Sequence, residues 1–166
     1  MEKVLVSACL LGEPVRHNGA HKRSGNDILR RWIEEGRVVA VCPEIAGGLP
    51  VPRPASEIVG GADGSRVLAG EVSVTDFNGR DVSHHFVSGA KVALQAARAN
   101  GIRIAILKEG SPSCGSGYTY DGTFTSARVP GHHGVTAALL RDNGIRVFSE
   151  MQLAEAEECL RTFGAE

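Results

Sequence analysis

Short apolar runs punctuate this chain, each leading toward a segment whose apolar residues fall at helical spacing, and this alternation narrows the possible folds most. Val4, Leu5 and Val6 form a continuous run, the pattern of a strand buried on both faces. Ile28, Leu29, Trp32 and Ile33 follow at helical spacing, with Ser24 and Asp27 set as a capping box ahead of them and Gly36 closing the pattern. Val38 to Val41 predicts a second strand, and Val87, Ala90, Leu94 and Ala97 mark a helix that stops at Asn100-Gly101. Ile102 to Leu107 predicts a third strand. Val135, Ala138 and Leu139 give a helix stopped by Asp142-Asn143-Gly144, Ile145 to Phe148 a fourth strand, and Leu153, Ala156, Leu160 and Phe163 a last helix.

Strands that alternate with helices imply a mainly parallel sheet with right-handed crossovers, so we expect an α/β three-layer sandwich. Two segments interrupt the alternation. Pro43 to Gly61 carries four prolines, which excludes regular interior structure from most of it and leaves a long, irregular loop of the kind that usually has a function. Arg66 to Ser83 alternates around Val67, Val72 and Val74 and contains Asn78-Gly79, a type I′ turn signal, which predicts an inserted β-hairpin. At 166 residues the chain has the size of one ordinary domain, expected over 1–166.

Charge excludes more than it suggests. With 18 Lys+Arg against 19 Asp+Glu there is no bulk bias toward nucleic acid or an anionic membrane surface. No stretch approaches the ~18 apolar residues of a membrane span, and the start lacks a basic region ahead of a long hydrophobic segment. We therefore expect a cytoplasmic protein with a small-molecule substrate, no nucleic acid polymer and no membrane.

The chemistry is concentrated in cysteines. They stand at 9, 42, 114 and 159, with no pair in C-x-x-C spacing, and reduced thiols are expected in a chain that can build its own core. Cys9, Cys42 and Cys114 each follow a predicted strand, and in open α/β sheets the loops beyond the carboxyl ends of the strands converge on the ligand crevice. Thiolates gathered there repel one another unless a cation holds them, so the trio points to a metal or cluster site. Zinc would take a fourth protein ligand or a water, whereas an iron–sulfur cubane on three cysteines keeps one iron open to a substrate atom; spacing alone does not separate the two. Cys159 lies on the core-facing stripe of the last helix and is assigned to packing.

Three motifs go further together than apart. SACLLG (Ser7 to Gly12), CPE with the GG and PRP that follow (Cys42 to Pro54), and EGSPSCG (Glu109 to Gly115) resemble the thiouracil desulfidase family, over a span from the N-terminus to about Ser149. The resemblance implies a small α/β enzyme with an oxygen-sensitive [4Fe-4S] cluster on Cys9, Cys42 and Cys114, removing sulfur from thiouracil or a related thiocarbonyl compound without net redox change. It matches Glu44 to the acidic residue of CPE and Ser111 to the serine three before the last ligand. Glu44 would accept or relay a proton from an attacking water, and Ser111 would orient water or substrate or pass a proton. The rival reading, from another functional class, is a non-catalytic metal-binding or iron–sulfur carrier protein.

Other conspicuous residues carry weaker expectations. His84-His85 and His132-His133 lack the i, i+4 spacing of helical metal pairs and read mostly as surface or helix-start residues, with His132 or His133 near enough to the expected crevice to touch substrate. Arg53, between Pro52 and Pro54, either holds a polar substrate edge or is a surface loop charge. GSPSCGSG lacks the Lys-Ser/Thr of a P-loop, so nucleotide binding is not expected.

Overall fold

The structure is a computed structural model that describes residues 1–20 and 24–164. Four parallel strands make its central sheet: β1 (Val4–Ser7), β2 (Val38–Val41), β5 (Ile104–Leu107) and β8 (Arg146–Ser149), in the order β2-β1-β5-β8. Register is set by Val4 opposite Val38, Leu5 opposite Ala105 and Ile104 opposite Arg146. The two central strands, β1 and β5, are buried along their whole length, as their unbroken apolar runs require.

The period of two sends alternate residues into two different cores. Val4, Val6, Ile104 and Ile106 pack on one face against α1 (Asp27–Glu34) and α6 (Leu153–Gly164), around Trp32, Leu29 and Leu160. Leu5, Ala105 and Leu107 pack on the other face against α4 (Ser83–Ala99) and α5 (Val135–Asp142), through Ala93, Leu94, Ala97 and Leu140. Helices on both faces of a parallel sheet make the three-layer α/β sandwich that the sequence predicts. Cys159 is buried in the first of these cores, as expected of a packing residue.

Between β2 and α4 lies an insert with its own small core. The one-turn helix α2 (Pro43–Ala46) follows β2, and β3 (Ser56–Ile58) then pairs antiparallel with β4 (Val74–Asp76), flanking α3 (Gly64–Leu68). Ile58, Val67 and Val74 pack on Phe86 and Ala90 of the first half of α4. A second antiparallel pair, β6 (Tyr118–Tyr120) with β7 (Arg128–Pro130), stands between β5 and α5. No helix among the described residues is long and apolar enough to cross a membrane.

Three local expectations are corrected. The inserted antiparallel pair exists, but it joins Ser56–Ile58 to Val74–Asp76 rather than folding Arg66 to Ser83 on itself. Asp63 accepts a hydrogen bond from Ser65 N and starts a helix through Val67, so the alternation of Val67 with Val72 is a coincidence of spacing. Asn78-Gly79 does turn the chain tightly, with Asp76 N donating to Arg80 O at 2.9 Å, but only one bridge, Thr75 to Asp81, follows from it. Helix α1 is capped by Asn26, whose side chain accepts from Ile28 N, while Ser24 accepts from Asn26 N one step earlier. The proline-rich stretch from Pro43 to Gly61 holds two short regular pieces, α2 and β3, because proline is tolerated at the first position of a helix and β3 begins beyond the last proline.

Candidate functional site

Three neighbouring strands, β2, β1 and β5, each end beside a cysteine-bearing turn, and Cys42, Cys9 and Cys114 all line one cavity of about 430 Å³. The chain passes from β1 to β2 on one side and then returns to β5 on the other, so the crevice lies where the strand order reverses.

Cys9 sits in a tight 3-10 turn, Ala8–Leu11, that continues β1 directly and closes at Gly12, where φ is 93°. Burial, followed by the nearby Cys42, pushes its thiol up to about 11. Cys42 starts α2, with its thiol directed at Val15 O at 3.9 Å. Burial raises its pKa, and the amides of Ile45 and Glu44 only partly oppose that effect. The position of this turn is set by two glycines. A Cβ on Gly89 of α4 would stand 1.8 Å from Pro43 O, and one on Gly47 would stand 1.9 Å from His85 O, so α2 rests backbone to backbone on α4.

Cys114 lies in the loop after β5, which Glu109 organises from within. Its carboxylate accepts from Ser116 N at 2.8 Å, Gly117 N at 2.9 Å and Gly110 N at 3.2 Å. Ser7, the last residue of β1, accepts from Lys108 N at 2.9 Å and donates to Cys114 Sγ at 3.5 Å, tying the ends of the two central strands to the third thiol. Burial holds the Cys114 thiol far above the ordinary range; Ser7 lowers it, while Cys9, Glu44 and Cys42 raise it further. Charge on one sulfur therefore resists charge on the others, and the trio is neutral at physiological pH until a cation offsets it. Among the described residues no three His, Cys, Asp or Glu side chains close on a point that would hold a single metal ion. The three cysteines share one cavity lining.

Glu44 and Ser111 line the same cavity. The guanidinium of Arg53 reaches Glu44 Oε1 at 3.4 Å and donates to Val15 O at 2.9 Å and Pro50 O at 3.1 Å. With its side chain 3 % exposed, Arg53 is an interior clamp and not a surface charge. Ser111 Oγ accepts from Ser113 N at 3.0 Å and Cys114 N at 3.2 Å. Both acceptor lone pairs are thereby engaged by backbone amides, so the remaining hydrogen-bonding capacity of the hydroxyl is as a donor.

The histidine pairs do not reach this site. Neither pair is among the cavity-lining residues. His85 Nδ1 bonds Gly47 O at 2.8 Å, His132 Nδ1 bonds Gly61 O at 2.6 Å, and His133 lies between Asp63 and Arg141, so three of the four hold the insert against its neighbours. Sequence reasoning missed Arg16, His17, Lys108, Tyr118 and Tyr120, all of which line the cavity. Lys108 was within reach of the same logic as the cysteines, since it leaves β5 directly; its ammonium lies 3.2 Å from Glu150 Oε1 and its charge lowers the Cys9 pKa. The His17 imidazole is held neutral chiefly by burial and secondarily by Arg16, against the pull of Glu44.

Comparison with known proteins bears on the whole chain. A family profile described as 2-thiouracil desulfurase matches residues 4–152. The chain is 43% identical over 150 residues to the uncharacterized protein YbbK of Bacillus subtilis (strain 168), covering 90% of this chain and 97% of that one. It is also similar to a solved structure, the [4Fe-4S]-dependent thiouracil desulfidase TudS (DUF523Vcz), with a TM-score of 0.88 and 48% identity over 98% of this chain and 99% of that chain.

Proposed function

The chain belongs to the 2-thiouracil desulfurase family, and from that membership and the chemistry of the cavity we propose that it is a [4Fe-4S]-dependent desulfidase acting on thiouracil or a related small thiocarbonyl compound. The observation that carries the reading is the delivery of Cys9, Cys42 and Cys114 by three adjacent strands to one cavity. The donor set fits the group: thiols that oppose one another's ionisation need a cationic centre, and thiolates are the ligands that iron–sulfur clusters take. Bound by these three cysteines, the cluster would supply a Lewis-acidic iron with affinity for a soft thiocarbonyl sulfur, which makes the attached carbon more electrophilic.

The remaining work falls to the protein's own groups. Water adds to the thiocarbonyl carbon, and Glu44, whose charge acts on both Cys42 and Cys114, takes the proton released. Arg53 holds that carboxylate in place. Ser111, with both lone pairs held by backbone amides, donates its hydroxyl hydrogen to a substrate heteroatom or to the water and so orients it. The balance is one water consumed, the C=S carbon left as C=O and the sulfur released as hydrogen sulfide, with no change of oxidation state. Residues 1–166 then act as one unit, and four free cysteines suit a reducing compartment such as the cytoplasm.

Anaerobic purification with iron, acid-labile sulfide and zinc assays, followed by sulfide release from 2-thiouracil, tests this reading. Iron and sulfide near four each per chain with turnover are expected. Zinc at about one per chain without labile sulfide would favour a non-catalytic metal-binding protein instead. Replacing Glu44→Gln should slow turnover by about 10²-fold or more while the cluster stays bound; loss of the cluster would mean that Glu44 is a structural support of the ligand set.

A further inference from the structure

Only two tyrosines occur in this chain, and both line the cavity, which draws on no phenylalanine or tryptophan among the described residues. Strand β6 places them there by its period: Tyr118 and Tyr120 share one face, while Thr119 points into the protein and is buried. The Tyr118 ring is fixed in advance of any ligand. The guanidinium carbon of Arg128 lies 4.3 Å from its centroid, and a Cβ at Gly110 would stand 2.9 Å from the phenol end of the ring, so the ring has room beside that loop because position 110 is glycine. Tyr120 meets Tyr118 at a centroid distance of 5.9 Å and an angle of 81°.

Two rings held at a right angle form a corner. A flat ligand lying parallel to one ring presents its edge to the other, and both are favoured aromatic geometries. Much of the remaining lining is ionic or thiol, from Glu44, Arg53, Lys108, Glu109 and the cysteines, which leaves the tyrosines as the large aromatic surface of the cavity. Neither tyrosine has a part in the proton steps above. We infer that the Tyr118–Tyr120 corner is the stacking wall that seats the planar ring of the substrate, so that the site selects flat conjugated thiocarbonyls over aliphatic ones. This inference rests on the desulfidase reading for the reaction, but not for the binding of the ring.

The experiment compares the reconstituted holoenzyme with its Tyr120→Leu and Tyr120→Phe variants, Tyr118 being left alone because it also supports the Gly110 loop. The kinetic parameters on 2-thiouracil and thioacetamide are measured beside the calorimetric Kd for uracil, which needs no turnover. Loss of a stacking ring should raise the KM for 2-thiouracil and the Kd for uracil about tenfold, with kcat within about twofold. Tyr120→Phe should restore both, and the preference for 2-thiouracil over thioacetamide should fall about tenfold in the leucine variant. An unchanged uracil Kd, an equal loss on both substrates, or failure of phenylalanine to rescue would overturn the wall. Uracil binding that depends on the Tyr120 ring in a protein that releases no sulfide would keep the wall and sink the desulfidase reading. Sulfide release from 2-thiouracil that ignores the Tyr120→Leu change would do the reverse.

Discussion

Arg53 does more for this site than its position between two prolines suggests. One guanidinium joins three points: the Glu44 carboxylate of α2, the Val15 carbonyl after β1 and the Pro50 carbonyl farther along the proline-rich stretch. Because it is almost wholly buried, truncation would leave Pro50 O without this donor, Val15 O with only the weak Cys42 thiol contact, and Glu44 without its counter-charge. Arg53→Met should therefore lose about 2–4 kcal/mol of stability in urea unfolding and at least about tenfold in turnover. Arg53→Lys should fall between, because one ammonium on a flexible stem cannot reproduce a planar fork that spans separated acceptors. Equal stability of the wild type and the methionine variant would show that water replaces these contacts freely. Residues of this kind are hard to see in a sequence. The three cysteines and Glu44 were legible because each follows a strand or a ligand position, and strand ends are where open sheets place their ligands. Arg53 reaches Val15 and Lys108 reaches Glu150, each about forty positions away in the chain, and a charge in a loop has no local pattern that tells a clamp from a solvated side chain.

At the level of elements, the packing of α2 on α4 decides where Cys42 and Glu44 stand. Gly89→Ala would drive a methyl group into Pro43 O, and backbone carbonyls do not yield as flexible side chains do. We expect a loss of about 1–3 kcal/mol and a lower iron content after reconstitution, whereas Gly144→Ala, where φ is 80° but nothing stands within 4 Å, should cost stability through backbone strain without changing iron content. Asp63 plays the corresponding part for the insert, capping α3 and accepting from His133 N at 2.6 Å. Burial alone would raise its pKa, but the hydrogen bonds from Ser65 and His133 outweigh burial and hold it below the ordinary value of 3.8. A depressed folded pKa means that the stabilisation is full above the unfolded value and disappears as pH falls through the folded one. Asp63→Asn should accordingly lower the Tm at pH 7, with the gap to wild type closing below about pH 4. A gap that does not narrow at all as pH falls through the acid range would mean that shape rather than charge is at stake. The same elements mark how far sequence reading went. The four sheet strands and the helices that cover them carry clear periods and were legible, because a buried parallel strand and an amphipathic helix each repeat one pattern over many residues. The partner of β4 was not, since strands of three residues offer too few positions to separate alternation from chance and β3 lies beyond a helix. The β6–β7 pair passed unseen for the same reason, although Tyr-Thr-Tyr has the alternation of a strand with one face in a cavity.

For the whole molecule, the proposed cluster site joins two cores that do not need it. Cys9 belongs to the core beneath α1 and α6, Cys114 to the core beneath α4 and α5, and each is filled by aliphatic side chains from β1 and β5. The apo-protein should therefore remain folded, unlike small domains whose metal supplies most of the stability, and its far-UV circular dichroism should match that of the reconstituted protein. Reconstitution should still raise the Tm, since a cluster held by Cys9, Cys42 and Cys114 would bind the folded chain and not the unfolded one. That gain depends on pH with a definite sign. Loading requires three thiolates, and the folded protein holds these groups protonated, with Cys9 at about 11 and Cys114 higher, so each cluster bound at neutral pH expels protons and the gain in Tm should grow from pH 6 to pH 8. The apo-protein alone should behave in the opposite way in alkali. A thiol raised in the folded state from 9.0 to about 11 contributes stability that is complete below pH 9 and is lost as pH rises through 11. Cys9→Ser should remove part of that alkaline decline while abolishing the cluster. If apo wild type and apo Cys9→Ser lose stability in parallel between pH 9 and 11, ionisation of the buried thiol is not what limits the empty site, and the electrostatic argument for a cationic centre loses its main support.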